Sequence, residues 1–485
     1  MTDGMTSSAS YPAAAGASRN GASGLFIVAA AVMLLLGCFG PNAALTALAV
    51  LSFLLGAMLL WRPGQPPILL FVFLTQWLQA SVAIFQATWA GVPVDDFSEL
   101  HGSESTAIVL TQLALLVQAV GLKLGAGPIR MGVIAGAREL AERVAIKQWF
   151  RAYLAFAVVG VAASYAAGRA PGLSQLLGGV ASLRWAFFFM VAFAFFVRRL
   201  SSGIWFYIAF AWELMTGLGG YFSDFKTVFI VSLLALVASG TRASGRFIAS
   251  SAVIVSAAVL LMVVWTAIKQ DYRDFVSGGE TAQIVTVEYS ERLNKIGELV
   301  GQLDAQDLSD ASQQLLRRIS YVDYFGVVLD RVPSVVPHEN GAILKDALLR
   351  PFTPRLLFPG KDVIDDSLRT RKFTGIHVAG SEEGTSIGIG WPAELYIDFG
   401  EWFMMPVAFA LGLAYGGVQR FFLNWRYSRG LLGLGVSFEI LLAAGSVEMS
   451  ITKLIGGLVV SFVAAWLVIR FAVPGVWPWL IERRR

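Results

Sequence analysis

Three acid or base side chains late in the chain are of the types that transfer protons in enzymes. Glu394 and Asp398 are four residues apart, so a helix would place both carboxylates on one face. His338 precedes a basic, proline-rich segment, and histidine can exchange a proton near neutral pH. We take these residues as candidate general bases. The alternative is helix capping for the carboxylates and an exposed loop position for the histidine.

Basic residues that could bind an anionic ligand form a second group. A guanidinium group binds two phosphate oxygens at once, and a charge at the edge of an apolar segment is costly unless it is paired or faces a cavity. The alternative for each is a solvated charge or a contact with lipid headgroups. The candidates are Arg169, Arg184, Lys226, Arg355, Lys361, Arg369 and Arg371.

Two carboxylates, Glu213 and Glu439, lie inside apolar segments. A carboxylate in such a place either serves function or forms a structural ion pair. For Glu213 we expect Arg184 or Lys226 as the partner.

Composition places the chain among integral membrane proteins. It is 56% hydrophobic and 14% charged, whereas soluble domains are about 45–50% apolar and about 25% charged. The net charge of +4 fits the basic bias of cytoplasmic loops, so we expect no nucleic-acid partner. A single cysteine, Cys38, excludes an internal disulfide and a thiolate metal site. The three histidines lack zinc-ligand spacing, so we expect no metal and no cofactor.

Apolar segments of about 17–25 residues can cross a bilayer, and the chain has twelve candidates. The sequence therefore predicts an all-α, polytopic membrane protein with about twelve transmembrane helices and one large, mostly helical extracytoplasmic loop. The predicted spans are 24–40, 42–61, 67–90, 105–125, 150–168, 181–197, 203–220, 221–239, 246–268, 399–421, 430–446 and 453–472.

Basic residues orient these spans, because Lys and Arg concentrate in cytoplasmic loops. With the N-terminus inside, the inner loops carry most of the cations, whereas the outer loops carry only Arg169, Lys226 and Lys453 outside the long polar segment. Both termini are then cytoplasmic: residues 1–23 as a disordered tail and 473–485 as a basic tail. Residues 24–268 hold nine spans, 269–398 form the outer loop, and 399–472 hold three spans.

Helical patterns are also expected outside the spans. Residues 129–149 predict an amphipathic helix on the cytoplasmic leaflet, with charge pairs such as Glu139 and Arg143. In the outer loop, 309–330 predicts a helix and 287–300 a weaker one. The proline-rich stretch that follows from residue 337 predicts irregular, extended chain. Trp391, Tyr396 and Trp402 could stack on sugar rings or form an interfacial aromatic belt.

The segments PRLLFPGK, GTSIGIGWPAELYIDFG and LGLAYGG within residues 340–417 resemble the Wzy-type O-antigen and oligosaccharide repeat-unit polymerases. The span count and large external loop are similar too. The resemblance implies a metal-independent glycosyltransferase related to C-type enzymes, in the bacterial inner membrane with the large loop periplasmic. Its substrates would be undecaprenyl-diphosphate-linked oligosaccharides, and a flippase and a chain-length regulator are possible partners. Family-type Arg-x(9–10)-Gly patterns occur at Arg169 to Gly179 and Arg369 to Gly380.

The implied reaction is one inverting displacement at C1 of the donor sugar. The cations above would bind the diphosphate leaving group, and Glu394, Asp398 or His338 would take the proton of the attacking hydroxyl. Three other functions stay open: a ligase that uses the same carrier, a twelve-span transporter and a non-catalytic envelope scaffold. A transporter is disfavoured because the two halves show no internal repeat.

Overall fold

The computed structural model describes residues 13–62, 65–128, 132–198, 203–218, 224–240, 245–278, 287–353, 357–358, 360–361, 364–380, 385–428 and 430–475. These residues are overwhelmingly helical, and no strand occurs among them. The expected all-α class is therefore confirmed for the described chain.

Eleven α-helices precede the long helix that leads into the polar segment. They are α1 (Ala13–Gly37), α2 (Ala43–Leu60), α3 (Ile68–Ala90), α4 (Val94–Phe97), α5 (Glu104–Ala126), α6 (Val133–Arg143), α7 (Ile146–Arg169), α8 (Ser174–Ser182), α9 (Arg184–Val197), α10 (Ile204–Leu218) and α11 (Lys226–Ala238).

Nine further α-helices complete the chain. They are α12 (Gly245–Ser277), α13 (Tyr289–Gln302), α14 (Ala305–Ile319), α15 (Asp323–Arg331), α16 (Ala342–Leu349), α17 (Asp366–Thr374), α18 (Trp391–Asn424), α19 (Leu431–Leu442) and α20 (Ile451–Leu467). Short 3₁₀ turns occupy Pro171–Leu173, Arg350–Phe352 and Ala443–Gly445, and a π-helical turn at Val468–Ala472 extends α20.

Eight helical segments of the described chain are long and apolar enough to cross a membrane. The four other predicted spans coincide with shorter apolar helices of 10–17 residues, at Gly24–Gly37, Ile204–Leu218, Lys226–Ala238 and Leu431–Gly445. Each predicted span thus contains a helix, and the apolar helices indicate a membrane protein. The structure supports eight spans by length and composition.

The outer part of the chain departs from its predicted structure in three places. The predicted helix 309–330 breaks at residues 320–322, so α14 and α15 are separate helices. The stretch expected to be irregular contains α16 and α17. The tenth span begins at Trp391 rather than near 399, and its helix kinks at Gly400, whose φ of 69° favours glycine.

The N-terminal and cytoplasmic predictions also shift in their bounds. Helix α1 starts at Ala13, so part of the predicted disordered tail continues the first helix. The amphipathic helix ends at Arg143 instead of near 149, and the expected Glu139–Arg143 pair forms. Arg198 donates hydrogen bonds to the carbonyl oxygens of Ala141 and Val144 and so holds the end of this helix against α9.

The tightest contact between two long helices joins α5 to α18. Gly121 and Gly125 on α5 face Gly412 and Gly416 on α18, and each glycine lies against backbone atoms of the other helix. A Cβ on Gly412 would lie 2.2 Å from the carbonyl oxygen of Gln118. This paired small-xxx-small spacing lets two membrane helices approach closely. It also gives LGLAYGG a role in helix packing.

Substitution at this contact should destabilise the bundle. Gly412→Ala places a methyl group against the α5 backbone, so we expect a loss of about 1–3 kcal/mol. Gly417→Ala is the matched control, because nothing lies within 4 Å of a Cβ at Gly417. Thermal unfolding of both purified variants in detergent would measure the difference. Equal stability of the two variants would contradict the packing role.

Candidate functional site

Glu394 is fully buried and ties three helices together. Its Oε1 is paired with the guanidinium of Arg369 on α17, and its Oε2 accepts a 2.6 Å hydrogen bond from the backbone N–H of Ile451 at the start of α20. Burial alone would lower the pKa of Arg369, but the Glu394 carboxylate more than offsets this and raises it. Glu394 is therefore a structural ion pair and does not line the cavity described below.

Asp398 and His338 do not line that cavity either. Asp398 accepts hydrogen bonds from the N–H groups of Ile343 and Leu344, at 3.0 and 2.7 Å, and so caps the start of α16. His338 Nδ1 lies 3.2 Å from the carbonyl oxygen of Ile397. Both residues line a small cavity of about 270 Å³ beside the kink of α18. Both carboxylates thus act within the fold. Glu394 lies in the first turn of α18, as the alternative expected, whereas Asp398 caps α16 and not the start of that span.

A larger cavity, of about 870 Å³, forms where several helix ends meet. The C-terminal ends of α3, α12 and α14, the N-termini of α15, α17 and α20, and the segment before α18 all contribute residues. These ends fall on the side that the basic-residue pattern predicts to be outside. The volume lies within the range of about 300–1,000 Å³ of small-molecule sites.

Charged and aromatic side chains form about half of the cavity lining. The cations are Arg273, Arg317, Arg318 and Lys453, the carboxylates are Glu99, Asp323, Asp366 and Glu448, and the aromatic residues are Phe97, Tyr321 and Tyr324. The remaining walls are formed by Ala83, Gln86, Ser98, Leu100, Ser320, Thr385, Ser386, Ile387, Gly388 and Met449.

One wall is fixed by a polar cluster of three elements. Lys453 Nζ lies 2.7 Å from Asp366 Oδ2 and donates a 3.0 Å hydrogen bond to Ser386 Oγ. Ser386 Oγ also accepts from the backbone N–H of Asp366. Gly390, at φ 88°, approaches the backbone of residue 447 so closely that a Cβ would lie 2.7 Å from its carbonyl oxygen. Gly388 and Gly390 therefore let the chain approach the segment before α20, while Ser386 and its neighbours face the cavity.

Another part of the cavity lining is cationic. Arg273 at the end of α12 and Arg318 at the end of α14 lie close enough to Lys269 to act on it electrostatically. Lys269 Nζ donates a 3.2 Å hydrogen bond to Gln314, which holds α12 against α14. Arg317 is paired with Glu99. A group of cations at one site repels itself and is stabilised when an anion binds.

Asp323 lines the cavity at the first turn of α15. Burial, and then the nearby charge of Glu99, raise the pKa of Asp323 to about 6. Its neighbour Tyr321 donates a hydrogen bond to the carbonyl oxygen of Gly388, and burial raises the pKa of this phenol. Asp323 is thus a cavity carboxylate poised near neutral pH, the range that general acid–base catalysis requires.

The remaining predicted cations lie outside the large cavity. Arg169 stacks on Tyr165, Lys226 is exposed at the start of α11, and Arg371 donates to the carbonyl oxygen of Val378. Lys361 binds carbonyl oxygens of the Arg350–Phe352 turn. Arg355 falls outside the described residues. The predicted residues therefore do not form one site.

The expected pairing of Glu213 is confirmed. Arg184 Nε lies 3.5 Å from Glu213 Oε2, and the hydroxyl of Tyr153 donates a 2.7 Å hydrogen bond to Glu213 Oε1. Glu439 accepts a hydrogen bond from Ser182. These carboxylates link apolar helices to one another.

Sequence reasoning missed Arg273, Arg318, Asp323 and the two tyrosines. One signal was present for the cavity: Lys453 is one of the few basic residues expected in an outer loop, directly before a span. Asp323 lay inside a pattern interpreted as one continuous helix, and the break that exposes it to the cavity depends on distant contacts. Trp391 and Tyr396 are buried, whereas Trp402 is exposed.

Comparison with known families gives one match. The model of a family described as a domain of unknown function (DUF8712) matches residues 110–422, which is more than half of the chain. The chain belongs to this family. The DUF8712 match runs from α5 into α18 and includes Arg273, Arg318 and Asp323, whereas Lys453 lies beyond it. No curated protein and no solved structure matches the chain.

The structural role of Glu394 predicts a large loss of stability on its removal. Glu394→Ala leaves Arg369 and the Ile451 N–H without their buried partner, so we expect a cost of about 3–5 kcal/mol. Glu401→Ala is the control, because Glu401 is exposed on the same helix beyond the kink. Thermal unfolding in detergent measures both. A Glu394→Ala protein as stable as the control would refute the role.

Proposed function

We propose that the protein is a membrane glycosyltransferase that polymerises lipid-diphosphate-linked oligosaccharide repeat units in the large cavity. The observation that carries this proposal is the cavity itself. It is lined by several cations and by Asp323, a carboxylate whose pKa is near neutral. The cavity lies at one end of a bundle of apolar helices, where a lipid-anchored headgroup can reach it. A transporter site would be expected near the membrane midplane instead.

The cationic wall fits a diphosphate leaving group. Arg273 and Arg318 supply guanidinium groups, which bind phosphate oxygens in bidentate fashion. Lys453 adds a point charge on the other wall, where Asp366 and Ser386 fix its position. Cations held in place before the reaction stabilise the charge that develops as the diphosphate leaves.

Asp323 is our candidate general base in place of Glu394, Asp398 and His338. A hydroxyl oxygen of the acceptor sugar forms a bond to C1 of the donor sugar while the bond between C1 and the diphosphate oxygen breaks. The hydroxyl proton passes to Asp323, and the electron pair of the broken bond stays on the diphosphate, beside Arg273 and Arg318. One such displacement inverts the configuration at C1 and needs no covalent enzyme intermediate.

Aromatic side chains give the cavity a surface for sugars. Tyr321, Tyr324 and Phe97 line it, and aromatic rings offer apolar faces beside polar edges. Glu448 and Gln86 add hydrogen-bonding groups to the lining of the same cavity. A polar cavity with aromatic faces fits a glycan better than an apolar ligand.

The proposal includes the topology inferred from the basic residues: about twelve spans, cytoplasmic termini and a periplasmic cavity in the bacterial inner membrane. A flippase would supply the lipid-linked units, and a chain-length regulator would limit the product. A ligase would use the same donor and differ in its acceptor.

Deletion of the gene in the source bacterium tests the activity. Loss of a polymerase should leave surface polysaccharide with a single repeat unit on a gel, whereas loss of a ligase should remove the attached glycan altogether. Unchanged long chains in the deletion strain would contradict both.

Loss of a cavity cation should reduce polysaccharide chain length more than loss of a surface cation elsewhere. We expect Arg318→Gln to shorten or abolish chains in the complemented deletion strain, because it removes a diphosphate contact. Lys372→Gln is the control, since Lys372 forms a surface pair with Glu339 away from the cavity. Gels of surface polysaccharide, with immunoblots for protein level, give the result. Wild-type chains in Arg318→Gln would place the diphosphate elsewhere.

The pH dependence of the purified enzyme should report Asp323. Below pH 6 its carboxyl is protonated and cannot accept a proton, so the rate should rise as pH passes about 6. Asp323→Asn should lower the rate by about 10²–10⁴-fold.

Glu99→Gln sharpens this test. It removes a negative charge that helps to raise the pKa of Asp323, so the acid limb of the profile should move to lower pH. Asp310→Asn, on the exposed surface of α14, should leave the profile unchanged. An acid limb that stays in place in Glu99→Gln, or activity retained in Asp323→Asn, would remove Asp323 from the role of base.

A further inference from the structure

Five large apolar side chains are exposed on a segment of the predicted outer loop, which the sequence predicts to lie in water. Phe352 is 76% exposed and Leu357 70%, and the other three are about half exposed. We name this set the apolar strip: Leu348, Leu349, Phe352, Leu357 and Phe358. Apolar surface of this extent is rare on a water-soluble face and marks contact with a membrane or another molecule.

The apolar strip lies beside a helix that can cross the membrane. Helix α16 and the Arg350–Phe352 turn pack against α20, which is part of the candidate span Ile451–Gly475. Ile343 and Ala347 on α16 are buried, whereas Leu348, Leu349 and Phe352 face away from the protein. The strip therefore faces outward beside a candidate span.

Four backbone polar groups of the described chain near the strip are paired with side chains. Asp398 accepts hydrogen bonds from the first N–H groups of α16. Lys361 Nζ donates to the carbonyl oxygens of Arg350 and Thr353, the latter at 2.8 Å. Such internal pairing is what a segment in contact with hydrocarbon requires, since lipid tails offer no hydrogen bonds.

The charges near the strip suit a lipid headgroup region. Asp346 on α16 is paired with Arg350, at 3.3 Å between Oδ2 and Nε. Lys345, an exposed cation, lies on the same helix. Trp402 and Phe403 are both largely exposed and follow the kink of α18 at Gly400. The turn before this kink contains Asp398, which caps α16. Aromatic and basic side chains of this kind mark the boundary between headgroups and hydrocarbon.

We propose that α16 and the Arg350–Phe352 turn form an interfacial element that inserts the apolar strip into the lipid leaflet at the cavity end of the protein. Its occupant is phospholipid: acyl chains cover the strip, and headgroups contact Lys345. The polar segment 269–398 is then anchored to the membrane in its middle as well as at its two ends. This inference does not depend on the proposed enzymatic activity.

Site-directed spin labelling tests the insertion on the full-length protein. In a Cys38→Ser background, Phe352→Cys carries a nitroxide label, and the protein is reconstituted in vesicles of phosphatidylethanolamine and phosphatidylglycerol. Power saturation compares the access of oxygen, which concentrates in lipid, with that of a water-soluble nickel chelate. We expect the ratio of oxygen to nickel access at 352 to match Val253→Cys, on an exposed face of α12, and to exceed Asp310→Cys on α14.

Two results would overturn the proposal. Nickel access at 352 equal to that at 310 would place the strip in water. Low access to both reagents would mean that protein, rather than lipid, covers the strip. Leu349→Cys provides a second position with the same expectation, so that a Phe352→Cys protein that fails to fold still leaves the insertion testable.

Discussion

The ion pair and hydrogen bond of the buried Glu394 carboxylate are the contacts on which the cavity end of the molecule depends. The carboxylate joins Arg369 of α17 to the first turn of α18 and to the N-terminus of α20 in one contact network. A buried carboxylate without these partners would cost several kcal/mol, so the three elements hold one another in a single arrangement. That arrangement carries Asp366 and Lys453, and therefore one wall of the large cavity.

Two interruptions of regular helix shape this end of the molecule. The break at residues 320–322 turns Tyr321 toward Gly388 and starts a new helix at Asp323, which brings the carboxylate to the cavity. The kink at Gly400 separates a fully buried first part of α18 from the part that packs against α5. The glycine contacts between α5 and α18 then anchor this assembly in the apolar bundle.

Much of the helical framework can be predicted from sequence, because apolar runs and basic loops are local signals. Every predicted span coincides with a helix, and the partner expected for Glu213 is the one observed. The site could not be predicted in the same way. Glu394 meets Ile451, 57 residues away, and no local pattern predicts such a contact. The apolar periodicity also continues across the break at 320–322, so it could not indicate where α14 ends.

The segment that contains α16 was also predicted incorrectly from sequence. Its prolines suggested extended chain, yet AILKDALL between Gly341 and Pro351 forms a helix, because both interruptions fall outside it. The proposed insertion of the exposed strip would hold the predicted outer loop at the membrane surface, with the cavity close to the lipid from which a substrate would come.

The most direct measurement of the central claim is turnover by the pure protein. The full-length chain in lipid nanodiscs would be supplied with a lipid-diphosphate-linked oligosaccharide of one repeat unit, and the products would be weighed by mass spectrometry. Catalysis in the cavity predicts lipid-linked products of two and more repeats, with one lipid diphosphate released for each bond formed. A correctly folded protein that leaves the substrate unchanged would contradict the claim.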